Sequence, residues 1–283
     1  MVLSSKTCKR DVFYLINKYS GIVSKVETEM LLEYLFNCAR IDLYIRNFSI
    51  DETIEELYDS LISRRLNGES VQYITGCAEF MGLDFIVTKD TFIPRPETEI
   101  LVNELLNSPD KSFRILDLCT GSGNIAVSLA KLMPQIEVTA TDISEAALKI
   151  AEKNAARHNV SERIKFYKGN VFNALVFDKN PKFDIIVCNP PYIKKAEFPY
   201  LQNEVKQEPE IALNGGGDGL DFYRIIAKES HRYLEKCGSI LLEIGFGQKQ
   251  ALKDIFSLYN IFEIHKIIKD FSGTERAMWI NLL

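Results

Sequence analysis

The segment with the clearest chemical potential is Asn189-Pro190-Pro191-Tyr192, which directly follows the apolar run 184–188. The two prolines hold the backbone extended, so the carbonyl of Pro190 lacks a partner in regular secondary structure. This carbonyl and the side-chain oxygen of Asn189 could both accept hydrogen bonds from one NH2 group, and the Tyr192 ring could stack on a planar substrate. Because an amide or exocyclic amine has a delocalised lone pair, orienting it towards an electrophile would supply most of the catalysis, with electrostatics helping. A proline-stiffened loop is the alternative.

A glycine-containing turn follows an earlier apolar run, at Cys119, Thr120, Gly121, Ser122 and Gly123. Glycines there allow backbone amides to approach a ligand closely. The dinucleotide fingerprint G-x-G-x-x-G is not met, because Cys119 and Ala126 occupy glycine positions. Asp117, just before the turn, disfavours a pyrophosphate and favours a ligand that carries positive charge, such as S-adenosylmethionine. A tight strand–helix turn without a ligand is the alternative.

Two further polar positions follow the next strand-like segments. Asp142 lies about 20 residues after the glycine turn, where a carboxylate accepts hydrogen bonds from both ribose hydroxyls. A helix cap is the alternative, but Ser144 already suits that role. Asn170 could bind the edge of an adenine, with Val171 against its face; a turn residue is an equal alternative.

The elements that would position these residues alternate between strand and helix after residue 96. Strands are predicted at 114–118, 137–141, 164–168, 184–188, 239–244, 261–269 and 277–281, and helices at 125–131, 145–158, 222–234 and 248–258. Repeated βα units with apolar strands predict a parallel sheet that is covered on both faces. We therefore predict an α/β, doubly wound, Rossmann-like domain over residues 96–283.

The first part of the chain has a different pattern. Apolar residues recur at three- and four-residue steps near residues 30–38 and 54–66, which predicts a small helical bundle over residues 1–76, with Asp51 as a helix cap. Residues 79–87 predict a hairpin centred near Gly82. With the stiff Pro94-Arg95-Pro96 segment, this hairpin predicts a linker over residues 77–95.

Composition excludes several classes of protein. The 283 residues are 46% hydrophobic and 26% charged, which excludes disorder for most of the chain. The net charge of −5 argues against nucleic acid as the default partner, and no run reaches the ~18 apolar residues of a membrane span. Residues 1–20 lack the pattern of a signal peptide. Six dispersed cysteines, among them Cys8, favour a reducing, cytoplasmic compartment and argue against a metal site.

The sequence resembles the HemK/PrmC family of release factor glutamine methyltransferases over nearly its whole length. Asn189–Tyr192 is shared with adenine-specific DNA methyltransferases, so it indicates the chemistry rather than the substrate. Four other segments are more specific to the family: 64–76, Thr91–Glu99, 207–223 and Asp270–Arg276.

This resemblance implies methylation, by S-adenosylmethionine, of the side-chain amide of the glutamine in the Gly-Gly-Gln motif of peptide chain release factors. It implies that the 119–123 turn and Asp142 hold the cofactor, that Asn170 and Val171 flank its adenine, and that Asn189–Tyr192 hold the glutamine. It also implies that Phe92 and the Pro94–Pro96 segment wall the glutamine site and that the N-terminal bundle helps to dock the protein substrate. We expect a monomer that binds neither nucleic acid nor membrane.

Two residues depart from the family pattern. Cys119 stands where many members have glycine, and Asn170 stands where an acidic residue is common; we expect modest effects on the cofactor. Arg95 is equally compatible with a contact to the substrate and with pairing to acidic neighbours.

The sequence leaves four alternatives open. It distinguishes a release factor glutamine methyltransferase only weakly from a ribosomal-protein glutamine methyltransferase. An adenine-specific nucleic-acid methyltransferase would require a basic face or a recognition insertion. A nicotinamide-dependent oxidoreductase is disfavoured by the missing glycine. A non-catalytic cofactor-binding protein is disfavoured by the intact Asn189–Tyr192 segment.

Overall fold

A computed structural model describes residues 11–108, 113–175 and 181–283 of the chain. Residues 1–10, with Cys8 and half of the segment that argues against a signal peptide, lie outside the described residues. The chain divides into two compact units, one ending at Gly76 and one covering Cys77–Leu283. None of the helices within the described ranges has the length and apolar character that crossing a membrane requires.

The first unit is helical, as the residue spacing predicts. Its helices are α1 Val12–Lys18, α2 Lys25–Phe36, α3 Asp42–Ile45, α4 Glu52–Leu66 and α5 Val71–Thr75. Ser24 and Glu27 form a capping box at the start of α2, and Asp51 caps α4 by accepting from the backbone N–H of Ile54. The helices enclose an apolar core that includes Leu31, Leu32 and Tyr58.

The second unit begins with the predicted hairpin, formed by β1 Cys77–Phe80 and β2 Leu83–Ile86. Met81 and Gly82 both have positive φ, which matches the twist of a two-residue hairpin turn. Phe80 and Phe85 are buried in the core of the second unit. The hairpin thus packs as a part of this unit rather than as a separate linker.

A seven-stranded sheet forms the centre of the second unit. In chain order its strands are β3 Arg114–Leu118, β4 Glu137–Asp142, β5 Ile164–Lys168, β6 Phe183–Cys188, β7 Leu234–Glu243, β8 Phe262–Lys269 and β9 Glu275–Leu282. The spatial order is β5-β4-β3-β6-β7-β9-β8. The first five strands pair in parallel, whereas β9 is antiparallel to both β7 and β8. The prediction of an α/β sheet is confirmed, with an antiparallel hairpin at one edge.

Helices cover the sheet. They are α6 Glu99–Leu106, α7 Asn124–Leu132, α8 Glu145–Arg157, α9 Glu210–Leu213, α10 Asp221–Glu229 and α11 Lys249–Ser257. The helix predicted to end at residue 234 was extended too far: α10 ends at Glu229, and Leu234 opens β7 opposite Phe183. Burial of Leu234 in the sheet overrides its helical spacing.

The strand order reverses between β3 and β6. Chain progress from β3 runs outward through β4 to β5, and β6 returns to the other side of β3. Leu118 and Cys188 are paired in register, so both strands end side by side. In open α/β sheets, ligands bind at such a reversal, beyond the carboxyl ends of the strands.

Candidate active site

A cavity of about 600 Å³ lies at the carboxyl edge of the sheet, within the second unit. This volume falls in the range of small-molecule sites. Most of the predicted site residues line it: Phe92, Arg95, Cys119, Thr120, Gly121, Ser122, Asp142, Asn170, Val171, Asn189, Pro190, Pro191 and Tyr192. Asp117 and Gly123 are the two predicted residues that do not.

The glycine turn connects β3 to α7 and forms one wall. Gly121 and Gly123 have φ of 57° and 79°, in the left-handed region that favours glycine. A Cβ added at Gly121 would meet no protein atom within 4 Å, whereas one at Gly123 would lie 2.9 Å from the Cβ of Ala151. Gly121 therefore leaves the cavity open, and Gly123 allows α7 to pack against α8. Cys119 also has a positive φ, 59°, at a mild steric cost.

Asp117 lies behind this turn rather than on the cavity wall. It is fully buried, and its Oδ2 accepts a 2.6 Å hydrogen bond from the hydroxyl of Thr120. Burial raises the pKa of this carboxyl to about 7. The sequence predicts that Asp117 approaches a positively charged ligand, but in the structure its side chain does not line the cavity. It instead stabilises the turn through Thr120.

Asp142 ends β4, and the cap of α8 is Ser144, whose hydroxyl accepts from the backbone N–H of Ala147, rather than Asp142. Its Oδ2 accepts from the backbone N–H of Gly121 at 2.8 Å, and its Oδ1 accepts from that of Ser144 at 2.8 Å. Burial raises the pKa of the Asp142 carboxyl, although these backbone hydrogen bonds oppose the shift. Each oxygen keeps a second lone pair, so a carboxylate held in this way can still accept from a ligand at the cavity wall.

Asn170 and Val171 follow β5. Asn170 is exposed and lines the cavity, and Val171 is buried at a φ of 47°. A β-branched residue in the left-handed region is strained, and such strain concentrates at functional sites. Gly169 is required just before them, because an added Cβ would lie 2.6 Å from the backbone of Ala174.

Asn189–Tyr192 leaves the end of β6 and forms the opposite wall. The Nδ2 of Asn189 donates to the hydroxyl oxygen of Thr98 at 3.0 Å. In the described parts of the chain, neither the Oδ1 of Asn189 nor the carbonyl of Pro190 accepts a hydrogen bond. The hydroxyl of Tyr192 donates to Glu243 at 3.2 Å. The segment thus presents two free acceptors beside an anchored aromatic ring.

The glycine-rich segment 215–219 explains part of the 207–223 signature. A Cβ added at Gly215 would lie 2.7 Å from the Cα of Tyr192, and one at Gly219 would lie 2.4 Å from its carbonyl oxygen. The Nε2 of Gln248 donates to this same carbonyl at 3.1 Å. Close backbone packing therefore fixes the position of Tyr192 from behind.

Arg95 pairs with an acidic neighbour. Its guanidinium donates to the carboxylate of Glu208, which also accepts from the backbone N–H of Ile93 at 3.2 Å. The guanidinium carbon lies 4.9 Å from the centre of the Phe92 ring. Burial raises the pKa of the Glu208 carboxyl, and the charge of Arg95 opposes that shift. These contacts tie Arg95, which lines the cavity, to the buried Glu208.

Several cavity residues were missed by the sequence reasoning. Glu243 and Arg276 line the cavity from β7 and β9, and the exposed Tyr200 and Ile211 lie on its wall. Thr98 belongs to the Thr91–Glu99 signature, but the sequence alone predicts no role for it. The available signal for Glu243 was a charged residue that interrupts the apolar run 239–244. In the described ranges, no group of three or more His, Cys, Asp or Glu side chains could hold a metal ion.

Known proteins resemble both units. The methyltransferase small domain matches residues 96–266, and the PrmC N-terminal domain matches residues 23–76. The release factor glutamine methyltransferase of Geobacter sulfurreducens is 41% identical over 237 residues, which cover 83% of this chain and 81% of that protein. This chain belongs to the release factor glutamine methyltransferase family. The family member of Thermodesulfovibrio yellowstonii is 40% identical over 269 residues, covering 93% and 94% of the two chains.

A solved structure supports the fold independently. A methyltransferase from Pyrococcus furiosus aligns with a TM-score of 0.54 at 20% identity, covering 79% of this chain and 98% of that one. The expected family and the expected Rossmann-like methyltransferase fold are both confirmed.

Proposed function

We propose that this protein transfers a methyl group from S-adenosylmethionine to the side-chain amide nitrogen of a glutamine, in the Gly-Gly-Gln motif of a peptide chain release factor. The observation that carries the proposal is the pair of free acceptors, the Oδ1 of Asn189 and the carbonyl of Pro190, at a cavity lined by the Tyr192 ring. A primary amide offers two N–H donors, which match two acceptors.

The residues at the other wall fit the cofactor. Gly121 leaves open space where a side chain would otherwise stand, and the carboxylate of Asp142 can accept from ribose hydroxyls. The N-terminus of α7 faces the cavity through Asn124 and favours the carboxylate of an amino acid. Asn170 and Val171 suit the edge and face of an adenine. When bound, S-adenosylmethionine supplies an electrophilic methyl group.

The main catalytic contribution of this protein is to orient the substrate amide. The acceptors on Asn189 and Pro190 engage both amide protons, which fixes the plane of the substrate amide and the direction of its nitrogen lone pair. Tyr192 is half-buried and anchored at its hydroxyl, so its ring can pack on that plane. Holding a weak nucleophile in one geometry removes much of the entropic part of the barrier.

The protein substrate is inferred from the relatives, which are named for release factors. The match of residues 23–76 to the PrmC N-terminal domain supports a role of the helical unit in docking that substrate. A cytoplasmic location, where translation termination occurs, belongs to the same proposal.

The chemistry can be tested with the Asn189→Ala variant. We expect S-adenosylmethionine to bind to the variant with a Kd within about threefold of wild type, while methyl transfer to release factor falls by about 100-fold or more, as when one oriented group is removed from an active site. Asn107→Ala, an exposed position at the end of α6, is the matched control and should keep full activity. Equal transfer by Asn189→Ala and wild type would refute the proposal.

A further inference from the structure

A buried carboxylate lies beside the cavity wall that Asn189–Tyr192 form. Glu243, the last residue of β7, is 2% exposed. Its Oε2 accepts a 2.6 Å hydrogen bond from the hydroxyl of Thr98, and its Oε1 accepts a 3.2 Å hydrogen bond from that of Tyr192. An ionised carboxylate is purely an acceptor, so both hydroxyl protons point towards Glu243.

The proton of Thr98 determines what Asn189 can do. A hydroxyl has one proton, and that of Thr98 is donated to Glu243. The Thr98 oxygen can then only accept from Asn189, and it does so from Nδ2 at 3.0 Å. With Nδ2 committed to Thr98, Oδ1 is the atom of the amide that remains free to accept. The carboxylate of Glu243 thus sets the direction of the hydrogen bonds that link it, through the hydroxyl of Thr98, to the side-chain amide of Asn189.

The reversed arrangement would oppose substrate binding. If residue 243 donated to Thr98, the hydroxyl of Thr98 could donate to the Oδ1 of Asn189, and the Asn189 amide would turn its NH2 group outward. That NH2 group would meet the N–H donors of a substrate amide, and two donors repel each other.

The charged surroundings of Glu243 come from several elements. Arg276 on β9 opposes the effect of burial, and Glu97 adds to it. The phenol of Tyr223 on α10 donates to the backbone carbonyl of Glu243 at 3.0 Å, and the buried Cys188 ends the neighbouring strand β6. Burial, with a smaller contribution from Glu97, raises the pKa of Glu243 to about 7, although the two hydroxyl donors and Arg276 oppose this shift.

We propose that Thr98 and Glu243 are positioning residues, which hold the Asn189 amide with its oxygen towards the substrate and anchor the Tyr192 ring. The inference rests on the proposed function of Asn189 as the acceptor for a substrate amide. It assigns a role to the threonine of the Thr91–Glu99 signature and to the carboxylate of Glu243, which accepts from Thr98 and Tyr192.

The test compares variants that differ by one hydroxyl. Thr98→Val keeps the shape of the side chain and removes the hydroxyl, whereas Thr98→Ser keeps the hydroxyl. Thr139→Val, at a half-buried position on β4 away from the cavity, controls for the same substitution in the sheet. We expect Thr98→Val to lower kcat for release factor methylation by about 30-fold, since one of two orienting acceptors loses its alignment. Thr98→Ser should stay within about threefold of wild type, and the Kd for S-adenosylmethionine should change less than twofold in each variant.

A double-variant comparison separates positioning from general structural damage. In the Asn189→Ala background, Thr98→Val should cause no further loss of kcat, because its effect acts through Asn189. An unchanged kcat in Thr98→Val, or an equal loss with and without Asn189, would overturn the inference.

A readout independent of activity distinguishes this inference from the proposed function. The side-chain NH2 signals of Asn189, assigned by their absence in Asn189→Ala, should show hydrogen exchange at least about tenfold faster in Thr98→Val than in wild type or Thr98→Ser. If wild-type protein fails to methylate release factor but this difference is present, the proposed substrate is wrong and the positioning stands. If the exchange rates are equal, the positioning is wrong.

Discussion

Two glycines of the same turn should respond differently to the same substitution. Gly121 and Gly123 both have positive φ, so alanine at either position carries a backbone cost of about 1–2 kcal/mol. At Gly121 the added Cβ meets no protein atom within 4 Å, so this cost is the whole effect on stability. At Gly123 the added Cβ would lie 2.9 Å from the Cβ and 3.2 Å from the Cα of Ala151, which adds an overpacking cost of about 1–3 kcal/mol.

Thermal unfolding and calorimetric titration measure the two effects. For a unit of this size, about 1 kcal/mol corresponds to roughly 2–4 °C in Tm. We expect Gly121→Ala to lower Tm by about 3–6 °C and to weaken S-adenosylmethionine binding by about tenfold or more, because the methyl group enters the cavity where the ligand must approach the backbone. Gly123→Ala should lower Tm by about 3–9 °C more than Gly121→Ala does.

A second substitution tests the cause at Gly123. Ala151→Gly removes the atom that clashes most closely, at a helix cost of about 1 kcal/mol. The double variant should therefore be less destabilised than the sum of the two single variants. Strict additivity would refute the packing argument, and wild-type cofactor affinity in Gly121→Ala would refute the assignment of this turn as the cofactor cradle.

Three other predictions concern the opposite wall and the turn itself. If Glu243 must be ionised to orient Thr98 and Asn189, kcat should rise with pH and level off above about 7, falling roughly tenfold per unit below it, and Glu243→Gln should be slow without that rise. A flat wild-type profile from pH 5.5 to 8.5 would contradict this requirement. Arg95→Met should leave the Glu208 carboxylate buried without its cationic partner, which lowers the free energy of unfolding by about 2 kcal/mol at pH 8. Because loss of Arg95 raises the pKa of Glu208 further, this loss of stability should shrink as the pH falls and Glu208 takes up a proton. Denaturant titration at several pH values measures it, and a loss that is constant with pH would count against the pairing. Cys119→Gly relieves a positive φ and Cys119→Val strains it, so Tm should be lower for Val than for Gly by several degrees; the reverse order would show that packing of the side chain outweighs the backbone.

Much of this architecture is readable from the sequence because it depends on local signals. The strand Ile164–Lys168 begins and ends where its apolar pattern predicts, and the helix after Ser144 begins at its cap. The Asn189–Tyr192 segment is one continuous stretch of sequence, and so is the glycine turn. The parallel register of β3 and β6 brings these two segments to the same edge of the sheet.

The parts that local patterns did not predict depend on distant contacts. Thr98 and Glu243 are 145 residues apart, and neither has a neighbour in sequence that signals their hydrogen bond. Asp117 was expected to face the ligand because it adjoins the turn, but its side chain points into the fold and bonds to Thr120.

The antiparallel edge had a local cue that the sequence interpretation did not use. Only five residues, 270–274, connect β8 and β9. A parallel crossover needs about a dozen, so this spacing requires a hairpin. Asp270 closes that turn by accepting from the backbone N–H groups of Ser272 and Thr274, each at 2.9 Å.

The central claim is the methylation of one glutamine, and mapping the transferred methyl group tests it most directly. Purified protein would be incubated with labelled S-adenosylmethionine and with release factor, release factor in which the glutamine of Gly-Gly-Gln is replaced, ribosomal proteins or DNA, followed by peptide mass spectrometry of labelled proteins. The account predicts label on the side-chain amide of that single glutamine, lost in the replaced substrate and in Asn189→Ala. Label on ribosomal protein or DNA alone would contradict the substrate assignment, and absence of label from every substrate despite cofactor binding would contradict the proposed reaction.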